Sequence, residues 1–283
     1  MTLITILICF ALQRLANIGG WFKKTWFESY LKRLNPWLSK YNEWIGMIII
    51  VVPILIIVGL LRLIFHWHLF GLFDLIITVL VLMLCIDARD LKPKLQPFFA
   101  DVAQGNLAEA TKAVNEITGE IAPQNFGELN RAVTKAIVVR SFECLFSVLF
   151  WFLIFGIYGA VIYFSIRLIS TEAIKVDPRN AGITNLANKI IAILDWVPVR
   201  LLGFSYSIAG HFDTTFAYCY KHLWLPLKEN TTFLIDSALH ALDAPTDVSK
   251  VETKETDAAF DLLNRTLIIW IVCVVLFSVG YWL

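Results

Sequence analysis

The residues of this chain that could do chemistry at a membrane lie together in one apolar stretch. Asp195, Pro198 and Arg200 interrupt residues 190–209, which otherwise read as a membrane anchor. Ionisable side chains at membrane depth are costly unless they are paired or line a polar cavity, so they are functional candidates by default. Pro198 also removes a backbone donor and frees the carbonyl of Leu194. The sequence therefore predicts a Pro-broken membrane segment that forms the working site.

Further polar side chains extend this candidate site toward the end of the segment. If the helix resumes after Pro198, then Arg200, Ser207 and His211 share one face, because seven and eleven residues are near-whole numbers of turns. Arginine binds phosphate and carboxylate groups through bidentate hydrogen bonds. A cluster of Arg140, Arg200 and His211 near Asp195 favours the binding of an anionic ligand, for example a phosphorylated one.

A preceding apolar stretch contributes two more arginines. Arg140, Glu143 and Ser147 form one stripe at its beginning, and Arg167 lies near its other end. The alternative is structural, because long basic side chains also snorkel to the membrane interface or pair with a neighbouring acid. The full set of predicted ligand-binding residues is Asp195, Arg200, His211, Ser207, Arg140, Glu143 and Arg167.

Motifs for catalysis and metal binding give little support to an enzyme. The chain contains no G-x-x-x-x-G-K-[ST], G-x-G-x-x-G, H-E-x-x-H or G-x-S-x-G string, so the sequence assigns no catalytic residue, metal or cofactor. His66 and His68 could form a metal pair, but their place beside Trp67 at a hairpin tip favours an interfacial belt. The cysteines show no C-x-x-C spacing and are interpreted as packing thiols. They are Cys9, Cys85, Cys144, Cys219 and Cys273.

Composition places the chain in a membrane. Hydrophobic residues make up 58% of the sequence and the mean hydropathy is +0.69, whereas a soluble domain is closer to half apolar. The net charge is +1 and no basic block is present, so nucleic acid is not an expected partner, and the lipid bilayer is. These features predict an all-α polytopic membrane protein with helical cytoplasmic regions.

Spans of about 20 apolar residues and polar regions alternate along the chain. Six apolar stretches lie at 2–16, 44–65, 69–86, 144–169, 190–209 and 267–283. Among them we predict about four spanning helices plus the Pro-broken segment at 190–209. The second and third form an antiparallel hairpin in which Arg62 and Asp74 reach the same depth, as a structural ion pair. Amphipathic helices are predicted over 103–121 and 233–242, and Thr256 is predicted to cap the helix that leads into the last span.

The chain accordingly divides into five parts. They are an N-terminal hairpin region (1–86), an amphipathic polar region (87–140), a central span with the broken segment (141–210), an acidic polar region (211–266) and a C-terminal span (267–283). Basic residues in the first connection place it and the 87–140 region in the cytoplasm. The side of the 211–266 region stays open, because 190–209 can either cross the membrane or re-enter it.

Three strings carry a resemblance to a known family. MTLITILICFALQRL at the start, LDWVPVRLLGFSYSIAGH at 194–211 and KVET at 250–253 are similar to the AmpE family of bacterial inner-membrane proteins. The resemblance covers essentially the whole chain. It implies a multi-pass inner-membrane protein that takes part in peptidoglycan recycling, β-lactamase induction and so antibiotic resistance.

A more distant resemblance is to the CobD/CbiB enzymes of cobalamin synthesis. Their D-D-x-x-N-Y-I-P-A-R-L string resembles 194–201, and GNLAEATKAVNEITG at 105–119 is similar to their helical region. However, Leu194 stands where those enzymes have the first of two aspartates, and Arg167 replaces another of their acids. Amide synthesis needs a carboxylate activated through a nucleotide and Mg²⁺ on acidic oxygens. The resemblance therefore implies a shared fold rather than a shared reaction.

The combined expectation is a non-enzymatic signalling or sensor protein. It binds an anionic muropeptide or nucleotide over the broken segment, with Asp195, Arg200 and His211 around the ligand, and can act as a homodimer. The competing class is a membrane-embedded transferase or ligase related to adenosylcobinamide-phosphate synthase. A muropeptide transporter is a third and weaker candidate, because too few spans surround a midplane site unless two copies associate.

Overall fold

Helices make up the regular structure of the part of the chain that the structure describes. A computed structural model describes residues 5–9, 11–12, 25–38, 40–66, 72–86, 109, 111–112, 114–115, 125–245 and 254–280, and these residues contain helices but no strand. The all-α prediction is confirmed. The helices are α1 (Thr25–Leu38), α2 (Glu43–His66), α3 (Leu72–Cys85), α4 (Phe126–Ser141), α5 (Ser147–Val176), α6 (Ala181–Ala209), α7 (Phe212–Lys221), α8 (Asn230–Ala241) and α9 (Lys254–Gly280). A π-helical turn, Phe142–Phe146, joins α4 to α5.

Among the described residues, four helical segments are long and apolar enough to cross a membrane, in agreement with the sequence. They are Glu43–Ile64, Phe126–Val176, Pro178–Ala209 and Glu255–Leu276, and Phe73–Cys85 is a shorter apolar helix. The predicted first span at 2–16 lies largely outside the described residues. So does most of the predicted amphipathic helix at 103–121, of which Val114 is described and buried.

The predicted hairpin of α2 and α3 is confirmed by its ion pair. Arg62 Nε lies 2.6 Å from Asp74 Oδ1, and Arg62 Nη2 lies 2.9 Å from Asp74 Oδ2. The guanidinium also lies over the ring of Tyr158, 5.7 Å from its centroid. A bidentate salt bridge between two consecutive helices fixes the position of one helix along the other. The side chains of the hairpin tip, including both histidines, lie outside the described residues.

Helix α5 consists of two helical arms that meet at Gly156. This glycine has φ 63° and ψ −152°, a conformation open essentially to glycine alone. In a straight helix Ser147 and Tyr163 would stand about 24 Å apart, yet both hydroxyls reach the same carboxylate oxygen of Asp195. The chain therefore doubles back at Gly156, and the structure differs here from the single straight span expected over 144–169.

The close approach of the two arms has its own sequence requirement. A Cβ atom on Gly159 would overlap the carbonyl oxygen of Trp151, which lies eight residues earlier on the other side of the bend. Such residues would be about 12 Å apart along a straight helix. Two glycines therefore shape the reversal, Gly156 through its backbone angles and Gly159 through the space that it leaves.

Helix α6 also differs from the sequence prediction, because it does not break at Pro198. The helix runs without interruption from Ala181 to Ala209, and Pro198 is buried inside it. A proline removes one backbone hydrogen bond, and membrane helices tolerate that loss when neighbouring groups satisfy the freed carbonyl. The turns on both sides of Pro198 are helical.

The chain forms two compact units. The first contains Met1–Asp87 and Cys144–Asp195, and the second contains Ala88–Glu143 and Trp196–Leu283. In the first unit α5 packs on α1, α2 and α3. Asn35 of α1 donates to the carboxylate of Asp177 at 2.6 Å. The five-part division drawn from the sequence stays a prediction.

In the second unit α4 packs on α9 and α8, and α7 packs on α8. The amphipathic segment predicted over 233–242 is confirmed as α8, whose buried face includes Phe233, Leu234 and Ala238. Helix α9 begins at Lys254, so Thr256 lies inside its first turn and does not cap it. There the buried Thr256 hydroxyl lies 3.4 Å from that of Thr134 on α4.

Candidate functional site

The carboxylate of Asp195 is the centre of a buried polar network in the first unit. Its Oδ1 accepts hydrogen bonds from the Tyr163 hydroxyl at 2.9 Å and the Ser147 hydroxyl at 3.3 Å. Its Oδ2 accepts from Arg167 Nη2 at 3.1 Å, which makes the pair a salt bridge. The predicted site residues Asp195 and Arg167 are therefore brought together.

Two features of the local sequence position these donors. Tyr163 and Arg167 are four residues apart on the second arm of α5, so they lie on one face of the helix. Arg167 Nη2 also donates to the Tyr163 hydroxyl at 3.1 Å, and the guanidinium lies 5.8 Å from the ring centroid. Ser147 begins the first arm, and the reversal at Gly156 returns it to the same carboxylate. The network thus joins α6 to both arms of α5.

Burial makes this arrangement energetically demanding. The side chains of Arg167 and Asp195 are only 19% and 9% exposed. Taking two charges out of water costs several kcal/mol for each charge. Good geometry and additional hydrogen bonds offset about that amount. The hydroxyls of Tyr163 and Ser147 supply those extra bonds. Arg167 is the more exposed partner, so it is the group that an external anion would reach first.

Arg200 is held in the second unit by a separate set of acceptors. Its Nε donates to the carbonyl of Leu223 at 3.3 Å and its Nη2 to that of Leu225 at 2.8 Å. Nη1 donates to the carbonyl of Trp196 and to the side-chain oxygen of Asn230. The guanidinium also lies over the ring of Trp196, 4.7 Å from its centroid. These bonds occupy four of the five donors of a buried side chain, so Arg200 clamps the backbone after α7.

The other predicted residues have different surroundings. Arg140 and Glu143 are brought together as an ion pair at 3.6 Å, with the arginine 44% exposed. Ser207 is buried, and its hydroxyl donates to the carbonyl of Phe204 at 2.7 Å within α6. His211 does not share a helix face with Arg200 and Ser207, because α6 ends at Ala209 and His211 is the exposed N-cap of α7.

Two residues of these networks were missing from the sequence prediction. Tyr163 carries a detectable signal, because it lies four residues before Arg167 on a predicted helix. Asn230 carries none, since only the fold brings it back to Arg200, thirty residues away. The sequence pattern places Ser147 on the Arg140 stripe, whereas in the structure its hydroxyl donates a hydrogen bond to Asp195.

The described residues provide no group of three or more His, Cys, Asp or Glu side chains that could hold a metal ion. The five cysteines are free, and Cys9, Cys85 and Cys219 are buried. Burial raises the pKa of the Cys219 thiol, which keeps it protonated and unreactive. This agrees with a packing role for that cysteine.

Comparison with known proteins gives a consistent family assignment. The family model described as "Regulatory signalling modulator protein AmpE" matches residues 1–282. Protein AmpE of Shigella flexneri is 24% identical over 286 residues, which cover 99% of this chain and 98% of the Shigella protein. No solved structure matches the chain.

Cobalamin biosynthesis proteins are similar to part of the chain. CobD of Chromobacterium violaceum is 28% identical over 148 residues, which cover 50% of this chain and 45% of that protein. CobD of Stutzerimonas stutzeri is 29% identical over 136 residues, which cover 47% and 44%. The whole-chain match decides between the two families: the chain belongs to the AmpE family of regulatory signalling modulators and is a membrane signalling protein.

Proposed function

We propose that this chain is a multi-pass inner-membrane sensor that binds an anionic ligand from peptidoglycan recycling and thereby modulates β-lactamase induction. The ligand class is a muropeptide or a nucleotide. Membership of a family of signalling modulators supports the signalling role. The buried Arg167–Asp195 pair carries the ligand proposal, because it holds a guanidinium next to a carboxylate that the anionic group of a ligand could replace.

The proposed mechanism is competition between two anions for one arginine. A ligand phosphate or carboxylate would displace Asp195 from Arg167, since a guanidinium binds both kinds of group in the same geometry. Asp195 lies on α6, and its remaining donors lie on both arms of α5. Displacement would therefore alter the packing of α6 against α5. A ligand shifts such an equilibrium only by its difference in affinity for the two states.

A thermal-shift titration of detergent-purified protein tests the proposal. The ligands are anhydro-muropeptides, UDP-linked wall precursors and Mg-ATP, compared in wild type, Arg167→Gln and Asp195→Asn. Because ligand binding to the folded state raises the unfolding temperature, we expect a selective rise that Arg167→Gln abolishes. Asp195→Asn removes the competing anion, so it should keep the rise and reach it at lower ligand concentration.

Arg62→Gln is the matched control, since it breaks an arginine–aspartate pair of the same unit without touching Asp195. It should retain the ligand-dependent rise. An equal rise in wild type and Arg167→Gln would remove Arg167 from the site. The same variants, scored for β-lactamase induction in cells, connect binding to signalling.

An enzyme is the second candidate, and the similarity to CobD over half of the chain favours it. It would be a membrane-embedded transferase or ligase that acts on a phosphorylated substrate. Nucleotide turnover by the purified protein that Asp195→Asn blocks would support this function. Loss of induction in Arg167→Gln, with no turnover in wild type, would support the sensor.

A further inference from the structure

Helix α7 carries a stripe of exposed aromatic side chains. Phe212, Phe216 and Tyr220 follow one another every four residues and are 54%, 41% and 71% exposed. Trp224, just after the helix, is 82% exposed. We call these four residues the aromatic stripe. Large exposed apolar patches mark a surface that meets something other than water.

The stripe is a regular surface. The rings of Phe212 and Phe216 stack at 5.3 Å and those of Phe216 and Tyr220 at 6.4 Å, each with 15° between the ring planes. The opposite face of α7 is buried and contains Thr215 and Cys219. An amphipathic helix in water shows the reverse pattern, with its aromatic face inside and its polar face outside.

The stripe continues an apolar surface of a candidate membrane span. Phe216 contacts Phe204 of α6 at 5.7 Å between ring centroids. On α6 the neighbouring Leu201 and Ile208 are 45% and 65% exposed, within the segment Pro178–Ala209 that is long and apolar enough to span. Exposed leucine and isoleucine on a membrane span face lipid. The aromatic stripe therefore lies next to the lipid-facing surface of α6.

We infer that α7 is an interfacial helix whose aromatic stripe inserts into the headgroup layer of the lipid bilayer. Tryptophan and tyrosine concentrate at this depth because their rings are apolar and their N–H and O–H groups stay hydrated. A helix that lies in the interface buries one apolar face at the boundary between headgroups and acyl chains. The stripe has that form.

The charged side chains beside the stripe indicate whether it prefers anionic or zwitterionic lipid. Lys221, Lys228 and Glu229 are exposed near its end, and Asp213 is exposed beside Phe212 at its beginning. Both signs are therefore present in equal number, and no basic excess selects anionic lipid. The expected occupant is the zwitterionic headgroup layer of an ordinary bilayer.

Fluorine NMR of the full chain, labelled with 5-fluorotryptophan in phosphatidylcholine nanodiscs, tests this inference. Trp224→Phe assigns the Trp224 resonance by its loss, and a highly exposed side chain can be replaced without unfolding the protein. A spin label on the lipid headgroup should broaden the Trp224 resonance beyond detection. A soluble gadolinium chelate should leave it visible.

Trp196 provides an internal comparison, because its ring lies 6.0 Å from that of Trp224 but is partly buried. Its resonance, assigned with Trp196→Phe, should be broadened less by the lipid label. Loss of the Trp224 resonance to the soluble chelate alone would show a water-facing surface and overturn the inference. Broadening by neither agent would also overturn it, because a second copy or another protein would then cover the stripe.

Discussion

Arg200 illustrates how contacts change the expected role of a residue. The sequence pattern assigns Arg200 to ligand binding, and on that assignment Arg200→Ala should abolish function and leave the fold intact. In the structure its guanidinium satisfies the carbonyls of Trp196, Leu223 and Leu225. Leaving a buried polar group without a partner costs about 1–3 kcal/mol, so we expect Arg200→Ala to destabilise the protein by about 3 kcal/mol or more. Thermal unfolding in detergent measures this.

Arg200→Lys is the informative control. Lysine keeps the charge but cannot spread its donors over several acceptors, so its stability should fall between wild type and Arg200→Ala. Hydrogen exchange of residues 222–230 should rise in the same order. If Arg200→Ala unfolds at the wild-type temperature but loses function, then Arg200 does not stabilise the backbone after α7. That result would favour the ligand-binding role predicted from the sequence.

Asp177 gives a prediction about pH. Hydrogen bonds from Arg179 and Asn35 hold the pKa of this carboxyl below its ordinary value of 3.8. A lowered pKa in the folded state means that the stabilisation is complete above 3.8 and disappears as the pH falls through the folded value. The stability difference between wild type and Asp177→Asn should therefore stay constant above about pH 5 and shrink below pH 3.8.

Unfolding of both proteins across this pH range checks the prediction. Other carboxyl groups titrate equally in wild type and variant, so their effects cancel in the difference. A difference that persists unchanged at the lowest pH would show that the ionised carboxylate is not what stabilises this turn.

At the scale of elements, the reversal inside α5 depends on the backbone of Gly156. A Cβ there would meet no atom within 4 Å, so only the backbone conformation opposes a larger residue. Such conformations cost non-glycine residues about 1–3 kcal/mol. We therefore expect Gly156→Ala to destabilise the protein by about that amount and to weaken the Asp195 network, because Ser147 depends on the reversal. Thermal unfolding provides the test.

Gly59→Ala is a matched control on α2. Gly59 is inside an ordinary helix, and its Cβ would lie 3.7 Å from the Tyr158 hydroxyl, a normal contact. Alanine is a better helix former than glycine by about 1 kcal/mol, so this variant should be neutral or stabilised. Equal effects of the two substitutions would argue against a special role for Gly156.

At the scale of the whole molecule, the second unit is closed by a contact between distant parts of the chain. Arg131 on α4 donates to both carboxylate oxygens of Glu255 at 2.7 and 3.0 Å, and to the carbonyl of Pro245 at 2.8 Å. The two side chains are 11% and 7% exposed. We expect Arg131→Ala to lower the unfolding free energy by about 3 kcal/mol, because it strands a buried carboxylate.

A double-mutant cycle measures the coupling. Arg131→Ala together with Glu255→Ala should cost less than the sum of the two single changes, since the double variant leaves no buried charge. Strict additivity would show that the pair contributes nothing to closing the unit.

Several features followed from the sequence because they depend on local pattern. Apolar length predicted the helices that are long and apolar enough to cross a membrane. The α2–α3 hairpin predicted the Arg62–Asp74 pair, since a short connection leaves few alternatives. The amphipathic period predicted α8. A cap at Thr256 places the start of α9 at Asp257, three residues after the observed start at Lys254. Threonine is an acceptable cap, but this hydroxyl packs against α4 instead.

The sequence by itself determined that this chain is a helical membrane protein and a member of the AmpE family, because hydrophobicity and motif strings need no tertiary context. It also identified Asp195, Arg167 and Arg200 as costly charges that require partners. Only the tertiary structure decided the partners: Arg167, Tyr163 and Ser147 for Asp195, and carbonyls with an asparagine for Arg200. The physical reason is that a buried charge must be satisfied, but which group satisfies it depends on where the chain turns.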